Sequence, residues 1–281
     1  MNQSLSRDTD REKCLRDASE RDRSRNAFYR DALLRLRRAQ IPFLVGGAIA
    51  YTFYTHVERF TKDVDLFLRR DDVERAQSVF RAAGYHTARP FPHWLAKASS
   101  GPDFIDLIFS SGNGVVRVDD DWFGHAVDHE FLELPLKLCP PEEMIWSKAF
   151  VQERERFDGA DVLHLFRELG PELDWARLLE RFADHWRVLL AHIVLFGYVY
   201  PDSREKVPQW VTTTLVRQMT RERAEPDNPL CMGTLLSREQ YLSDLRCLGY
   251  RDAREQPNGP MTREEIDIWT AAIDRGPDPI V

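Results

Sequence analysis

The spacing of apolar residues changes period several times along the chain, and each change predicts an element. From Asn26 to Arg38 the apolar residues Phe28, Leu33, Leu34 and Leu36 recur at helical spacing, and Arg30, Arg35, Arg37 and Arg38 fall on a basic face. Pro42 ends that helix, and Phe43-Leu44-Val45 reads as a short buried strand. Gly46-Gly47 breaks it, and Ala48 to His56 predicts a helix. Asp63 to Leu68 alternates acidic and apolar residues, the period of a strand. Asp71-Asp72 opens a helix with residue types that cap one, running through Val79 and Phe80 to a stop at Gly84. Beyond it the pattern predicts a strand at Tyr85 to Thr87 and a loop at Pro90-Phe91-Pro92-His93-Trp94. A strand follows at Phe104 to Phe109, then a turn at Ser110 to Gly114. Val115 to Val118 and Phe131 to Leu134 read as further strands.

After Pro140-Pro141 the period is helical. Helices are predicted at Glu142 to Arg156, Ala160 to Leu169, Trp175 to Ala183, Trp186 to Phe196, Val207 to Met219, Arg238 to Leu248 and Thr262 to Ile273. Thr262 and Glu265 have the spacing of a capping box, and Pro226 to Pro229 and Gln256 to Pro260 read as loops. The expected fold class is therefore α+β, a mixed sheet with flanking helices followed by a helical module. The expected division is a charged, frayed segment over residues 1–25, an α+β domain over 26–139 and a mainly helical domain over 140–281.

Composition adds limits. The 281 residues are 43% hydrophobic and 30% charged, ordinary for a globular protein with a real core. A formal net charge of -7 gives no global field for nucleic acid, so any such contact needs a local basic patch. Cys14, Cys139, Cys231 and Cys247 are scattered and read as free thiols of a reducing compartment. The charged N-terminus lacks the apolar core of a signal peptide, and the apolar stretch Val188 to Val199 is too short for a bilayer. A cytoplasmic protein with no membrane contact is expected. The histidines show no metal-ligand spacing, and Trp146, Trp175 and Trp186 fall at core positions of the predicted helices. Trp94 reads as a packing residue, with base stacking the alternative.

The candidate chemistry lies in three short segments. On a strand, residues two apart share a face, so Asp63 and Asp65 project side by side. Adjacent carboxylates repel, and a divalent cation with oxygen ligands such as Mg²⁺ resolves the conflict. Asp106 lies within the apolar run Phe104-Ile105-Asp106-Leu107-Ile108-Phe109 and needs a partner too. Gly46-Gly47 sits between a strand and a helix start, where glycine admits close approach and the helix N-terminus suits phosphate. Each piece is common alone; their order suits nucleotide chemistry.

These segments resemble the DNA polymerase β-like nucleotidyltransferase superfamily. Arg59-Phe60-Thr61-Lys62-Asp63-Val64-Asp65-Leu66 is especially similar to its minimal and abortive-infection, type IV toxin-like branches. The stretch Lys148-Ala149-Phe150 with Arg154, Arg156, Asp158 and Asp161 resembles their following helix. The resemblance covers about Ile41 to Leu169. It departs at Gly46-Gly47, where many catalytic members have Gly-Ser, and at Phe157-Asp158-Gly159, which interrupts the basic-Asp pairing. It implies two Mg²⁺ ions on Asp63, Asp65 and Asp106, with Asp106 beside the ion that activates the acceptor hydroxyl. It further implies an NTP such as ATP held by Gly46, Gly47, Thr61 and Lys148. Arg59 and Lys62 read as surface charge with phosphate contact as the alternative, and Arg154, Arg156 and Asp161 as a surface ion-pair set. The implied activity is transfer of a nucleoside monophosphate to a hydroxyl of a protein, an RNA end or a small molecule. Two other readings stand beside it. One is a nucleotide-binding or antitoxin-like module without turnover, acting with a partner protein. The other is an Asp-x-Asp glycosyltransferase using a sugar nucleotide.

Overall fold

The computed structural model describes residues 21–59, 61, 63–223 and 228–275. Cys14, Phe60, Lys62, Pro226 and the first twenty residues of the charged segment lie outside the described residues. The first helix, α1, occupies residues 21–38 and buries Tyr29, Ala32, Leu33 and Leu36. That i, i+3, i+4, i+7 stripe is the core face of an amphipathic helix. Its arginines are used at the surface: Arg35 bonds Asp31, and Arg30 donates to the Leu132 carbonyl.

A mixed seven-stranded sheet follows, in the order β3-β4-β5-β2-β1-β7-β6. Its strands are β1 (Leu44–Val45), β2 (Asp63–Phe67), β3 (His86–Phe91), β4 (Leu95–Ser100), β5 (Asp103–Ile108), β6 (Val127–Phe131) and β7 (Leu134–Leu138). β2 runs parallel to β5 and β1 parallel to β7, while the remaining pairs are antiparallel. Period-two alternation buries Val64, Leu66, Ile105 and Leu107 on one face and turns the acidic residues to the other. α2 (Gly47–Thr55) and α3 (Arg70–Ala82) connect the strands. Tyr54 of α2 donates to the Cys139 carbonyl at 2.9 Å, fixing that helix to the end of β7.

The later chain is mainly helical: α4 (Asp120–Gly124), α5 (Pro141–Ala149), α6 (Gly159–Leu169), α7 (Trp175–Phe182), α8 (Trp186–Val199) and α9 (Gln209–Arg221). A short parallel pair, β8 (Leu230–Cys231) and β9 (Arg251–Asp252), flanks α10 (Leu242–Cys247), and α11 (Arg263–Ala271) closes the series. Buried apolar residues of sheet and helices form one continuous cluster from Tyr29 to Ala253, including Trp146, Trp175 and Trp186. α11 starts with the expected capping box, Thr262 and Glu265 satisfying each other's backbone N–H groups. Its Trp269 packs edge-on against Phe91 and Trp94, with ring centroids 4.9 and 5.4 Å away. Trp94 therefore packs. Among the described residues no helix is long and apolar enough to cross a membrane, and Cys139, Cys231 and Cys247 are free.

Several expectations are corrected. Residues 21–25, taken as frayed, belong to α1. The loop at Pro90–Trp94 is a tight hairpin between β3, which runs on to Phe91, and β4. Asp71 and Asp72 lie in the first turn of α3, whose N-cap is Arg69, and there they face the positive end of the helix dipole. Val115 to Val118 is not a strand; only Arg117 forms a single bridge, to Ser110. Phe131 to Leu134 is the tip of the β6-β7 hairpin, with Leu132 and Glu133 at φ +51° and +59°. That turn normally carries Asn or Gly, so its sequence signature is missing. The helix expected to Arg156 stops at Ala149, and the loop after it folds back through a Gln152–Phe157 bridge. The helix expected from Arg238 forms only over α10.

Candidate active site

Strand register assembles the acidic group. β2 and β5 pair so that Asp65 lies opposite Asp106, and β4 and β5 pair so that Lys97 lies opposite Asp106 on the other side. Asp63, Asp65 and Asp106 each present a carboxylate oxygen within 4.8 Å of the others. Thr61 donates its hydroxyl to Asp63 Oδ1 at 2.5 Å, orienting that carboxylate. Lys97 Nζ donates to Asp106 Oδ1 at 2.8 Å and lies over the Phe104 ring, 4.4 Å from its centroid.

The glycine turn lies directly on this group. Gly46 N–H donates to the Asp65 carbonyl at 2.9 Å. Gly47 is at φ +53°, and a β-carbon there would lie 1.7 Å from Asp65 Oδ2. No L side chain fits that backbone and that gap, so glycine in place of serine follows from the turn's own geometry. The start of α2 has no side-chain cap, leaving backbone N–H groups beside the carboxylates.

Burial pushes the Asp65 carboxyl up to about 7, and the Asp63 and Asp106 charges push the same way against Lys148 and Arg156. Burial also raises Asp106, with Lys97 opposing. The donor set fits a hard divalent ion: three carboxylate oxygens converge, and one ammonium in direct contact relieves only part of their repulsion.

A second polar group adjoins the first. Lys148 of α5 bonds Asp161 at 2.7 Å and reaches Asp158 at 3.3 Å. Arg59 forks onto both oxygens of Asp161 and lies over the Tyr51 ring at 4.3 Å. Arg156 pairs with Asp158 through two nitrogens. Burial would raise Asp158, but the hydrogen bonds and charges of Arg156 and Lys148 prevail and hold it below the usual carboxylate range. Asp161 is buried, so it is a pairing centre and not part of a surface set; Arg154 is exposed. The structure thus brings Asp63, Asp65, Asp106, Gly46, Gly47 and Thr61 together, with Lys148 engaged by two aspartates alongside. Lys97 was missed in the sequence reading because Leu-Ala-Lys-Ala-Ser-Ser lacks β-branched residues and does not read as a strand.

A family model described as an uncharacterised nucleotidyltransferase matches residues 8–196. The chain belongs to that nucleotidyltransferase family, as the resemblance in its acidic and glycine segments implied. No match is found among the curated proteins. Among solved structures it is similar to the antibiotic-resistance factor ANT(2'')-Ia, at 14% identity and TM-score 0.38, covering 71% of this chain and 95% of that one. It is similar to the lincosamide antibiotic adenylyltransferase LnuA at 12% identity and TM-score 0.36, covering 50% of this chain and 94% of that one. A nucleotidyltransferase-like protein from Paracoccidioides brasiliensis is 16% identical with TM-score 0.33, covering 56% of this chain and 89% of that one.

Proposed function

We propose that the protein transfers a nucleoside monophosphate from an NTP, ATP among them, to a hydroxyl acceptor, with Mg²⁺ held by Asp63, Asp65 and Asp106. The observation that carries this reading is the convergence of three carboxylates, with one lysine among them, on a sheet face that abuts the Gly46-Gly47 turn. When bound, the divalent ions supply charge neutralisation for the transferring phosphoryl group.

The chain's own residues have distinct tasks. Thr61 holds the Asp63 carboxylate in one orientation. The uncapped N–H groups of α2 beside Gly47 receive phosphate oxygens. Arg59, Lys148 and Arg156 carry one more positive charge than Asp158 and Asp161 carry negative, and that excess adds attraction for the triphosphate. Asp106 keeps Oδ1 on Lys97, which leaves its other oxygen as its ligand for the ion. Since glycine at 47 is required by backbone geometry, its presence does not argue for loss of turnover.

Acceptor classes remain a protein hydroxyl, an RNA end and a small molecule. A toxin-like branch, a partner protein and a cytoplasmic setting belong to the same proposal. The test is incubation of the purified chain with Mg²⁺ and NTPs labelled at the α- or γ-phosphate, against protein, RNA and small-molecule pools. Transfer of α-label without γ-label, abolished in Asp63→Ala, is expected. Transfer of γ-label alone, or α-label transfer at the wild-type rate in Asp63→Ala, would overturn the reading.

A further inference from the structure

We propose that Lys148 is a mobile cation that leaves its two aspartates for the triphosphate, and that Tyr51 makes this possible by fixing Arg59 as the standing counter-ion of Asp161. The inference rests on the nucleotide reading above and deepens it. Lys148 lies between Asp158 and Asp161, and each of these already has an arginine of its own. Arg156 reaches both oxygens of Asp158, and Arg59 reaches both oxygens of Asp161. A buried carboxylate stripped of its only cation is costly. Neither aspartate is stripped when Lys148 departs, so the lysine is the surplus charge of the group.

Arg59 needs help to fill that place. The Asp161 side chain is 3% exposed, while that of Arg59 is 42% exposed and open to water on one side. Its guanidinium lies over the Tyr51 ring, 4.3 Å from the centroid, a stacking that suits a planar cation. Tyr51 of α2 is itself buried, and its hydroxyl meets His164 Nδ1 at 2.5 Å. Burial raises the phenol above its usual range and lowers the imidazole below its own, so a protonated hydroxyl donates to a neutral ring. Asp161 and His164 are three residues apart on α6 and share a helix face. The helix that carries the carboxylate therefore also anchors the ring beneath its cation. Tyr51 is a positioning residue: it touches no substrate and acts through Arg59. Without its ring Arg59 slackens, Asp161 holds Lys148 harder, and the grip on phosphate weakens.

The test is a double-mutant cycle read by calorimetry as the Kd of a non-hydrolysable α,β-methylene ATP analogue with Mg²⁺. Lys148→Met is expected to raise Kd about tenfold or more, and Tyr51→Leu about three- to tenfold. Tyr51→Phe keeps the ring and should bind within about twofold of wild type. The double variant Tyr51→Leu/Lys148→Met should bind no more weakly than Lys148→Met, because the ring acts by way of the lysine. A further loss in the double variant equal to that of Tyr51→Leu alone would overturn the inference, as would an unchanged Kd in folded Tyr51→Leu. Should Tyr51→Leu fail to fold, Arg59→Lys takes its place in the cycle with the same expected pattern, since it keeps the charge and loses the fork and the stack. A wild type that does not bind the analogue would instead overturn the nucleotide reading itself.

Discussion

The acidic groups of the sheet and those of helix α5 are both sequestered, but they keep opposite company. Glu142 and Glu143 are buried beside two guanidinium groups. Arg177 donates to both of them, and Arg181 adds a bond to Glu143 at 3.1 Å while also pairing with Asp119. Cation and anion are matched there, the arrangement that lets a protein bury charge for structure. On the sheet, Asp63, Asp65 and Asp106 meet one lysine. The chain has the means to neutralise a buried carboxylate pair and uses it on α5. The shortfall on the sheet is thus a local property of that site; burial raises Glu143 as well as Asp65 and Asp106, so the unmatched charge, and not the raised carboxyl, distinguishes the two groups.

The largest expected effect comes from Asp65→Asn. Transfer should fall about 10³-fold or more, roughly 4 kcal/mol of transition-state stabilisation. Stability should move the other way, because the change removes a like charge from the triad. Asp65 is pushed up to about 7 from 3.8, so the folded state favours its protonated form. Its contribution to stability is full below about pH 4 and is lost as the pH rises to about 7. Melting curves in EDTA should therefore show that loss in wild type and a flatter profile in Asp65→Asn. A variant that melts lower than wild type at pH 7 in EDTA would break the contrast between the two acidic groups.

Glu143→Gln should do the reverse. It leaves Arg177 with Glu142 alone and Arg181 with only the more exposed Asp119 and Asp121, at a cost of about 1–3 kcal/mol in denaturant unfolding. The turnover of the molecules that remain folded should be unchanged. A fall in kcat comparable to that of Asp65→Asn would show that the Glu142–Glu143 pair is not purely structural.

The two groups were unequally legible in the sequence. Asp63 and Asp65 show themselves through period-two alternation, and Asp106 as an acid in an apolar run, because local periodicity sets which face a strand residue takes. Lys97 is silent: its strand has small residues in place of β-branched ones, and only register places it opposite Asp106. Arg59 and Asp161 lie 102 residues apart and meet because α2 and α6 pack together, which no local pattern encodes. The α5 cluster is hidden for the same reason, since Arg177 comes from α7, 34 residues beyond Glu143. Helices were read well where the apolar stripe is long, as in α8, and poorly where loop residues continue it, as after Ala149.

A smaller effect is expected at the turn. Gly47→Ala forces a β-carbon against Asp65 Oδ2 at a left-handed backbone position, costing about 1–2 kcal/mol of stability. Displacing that carboxylate should also slow transfer, by about tenfold for each 1.4 kcal/mol of misplacement. Alanine at Gly84, also at positive φ but with nothing near its β-carbon, should cost backbone strain without slowing transfer. Equal rate losses in the two variants would mean that strain, and not the approach to Asp65, governs the site.

The smallest effect is expected from Arg156→Gln, and it tests the cation excess beside the triad. The Arg156 side chain is two-thirds exposed, at 66%, so solvent screens much of its attraction for phosphate. Lys148 still contacts Asp158, so that carboxylate is not stranded by the change. The loss should be about 1 kcal/mol or less, seen as a KM for NTP raised by about fivefold or less with kcat nearly constant. Such a split would assign the excess to ground-state attraction for the triphosphate. A kcat loss approaching that of Asp65→Asn would instead place Arg156 among the groups that act on the transferring phosphoryl. The boundary between the acidic group that reacts and the basic group that holds would then have to be redrawn.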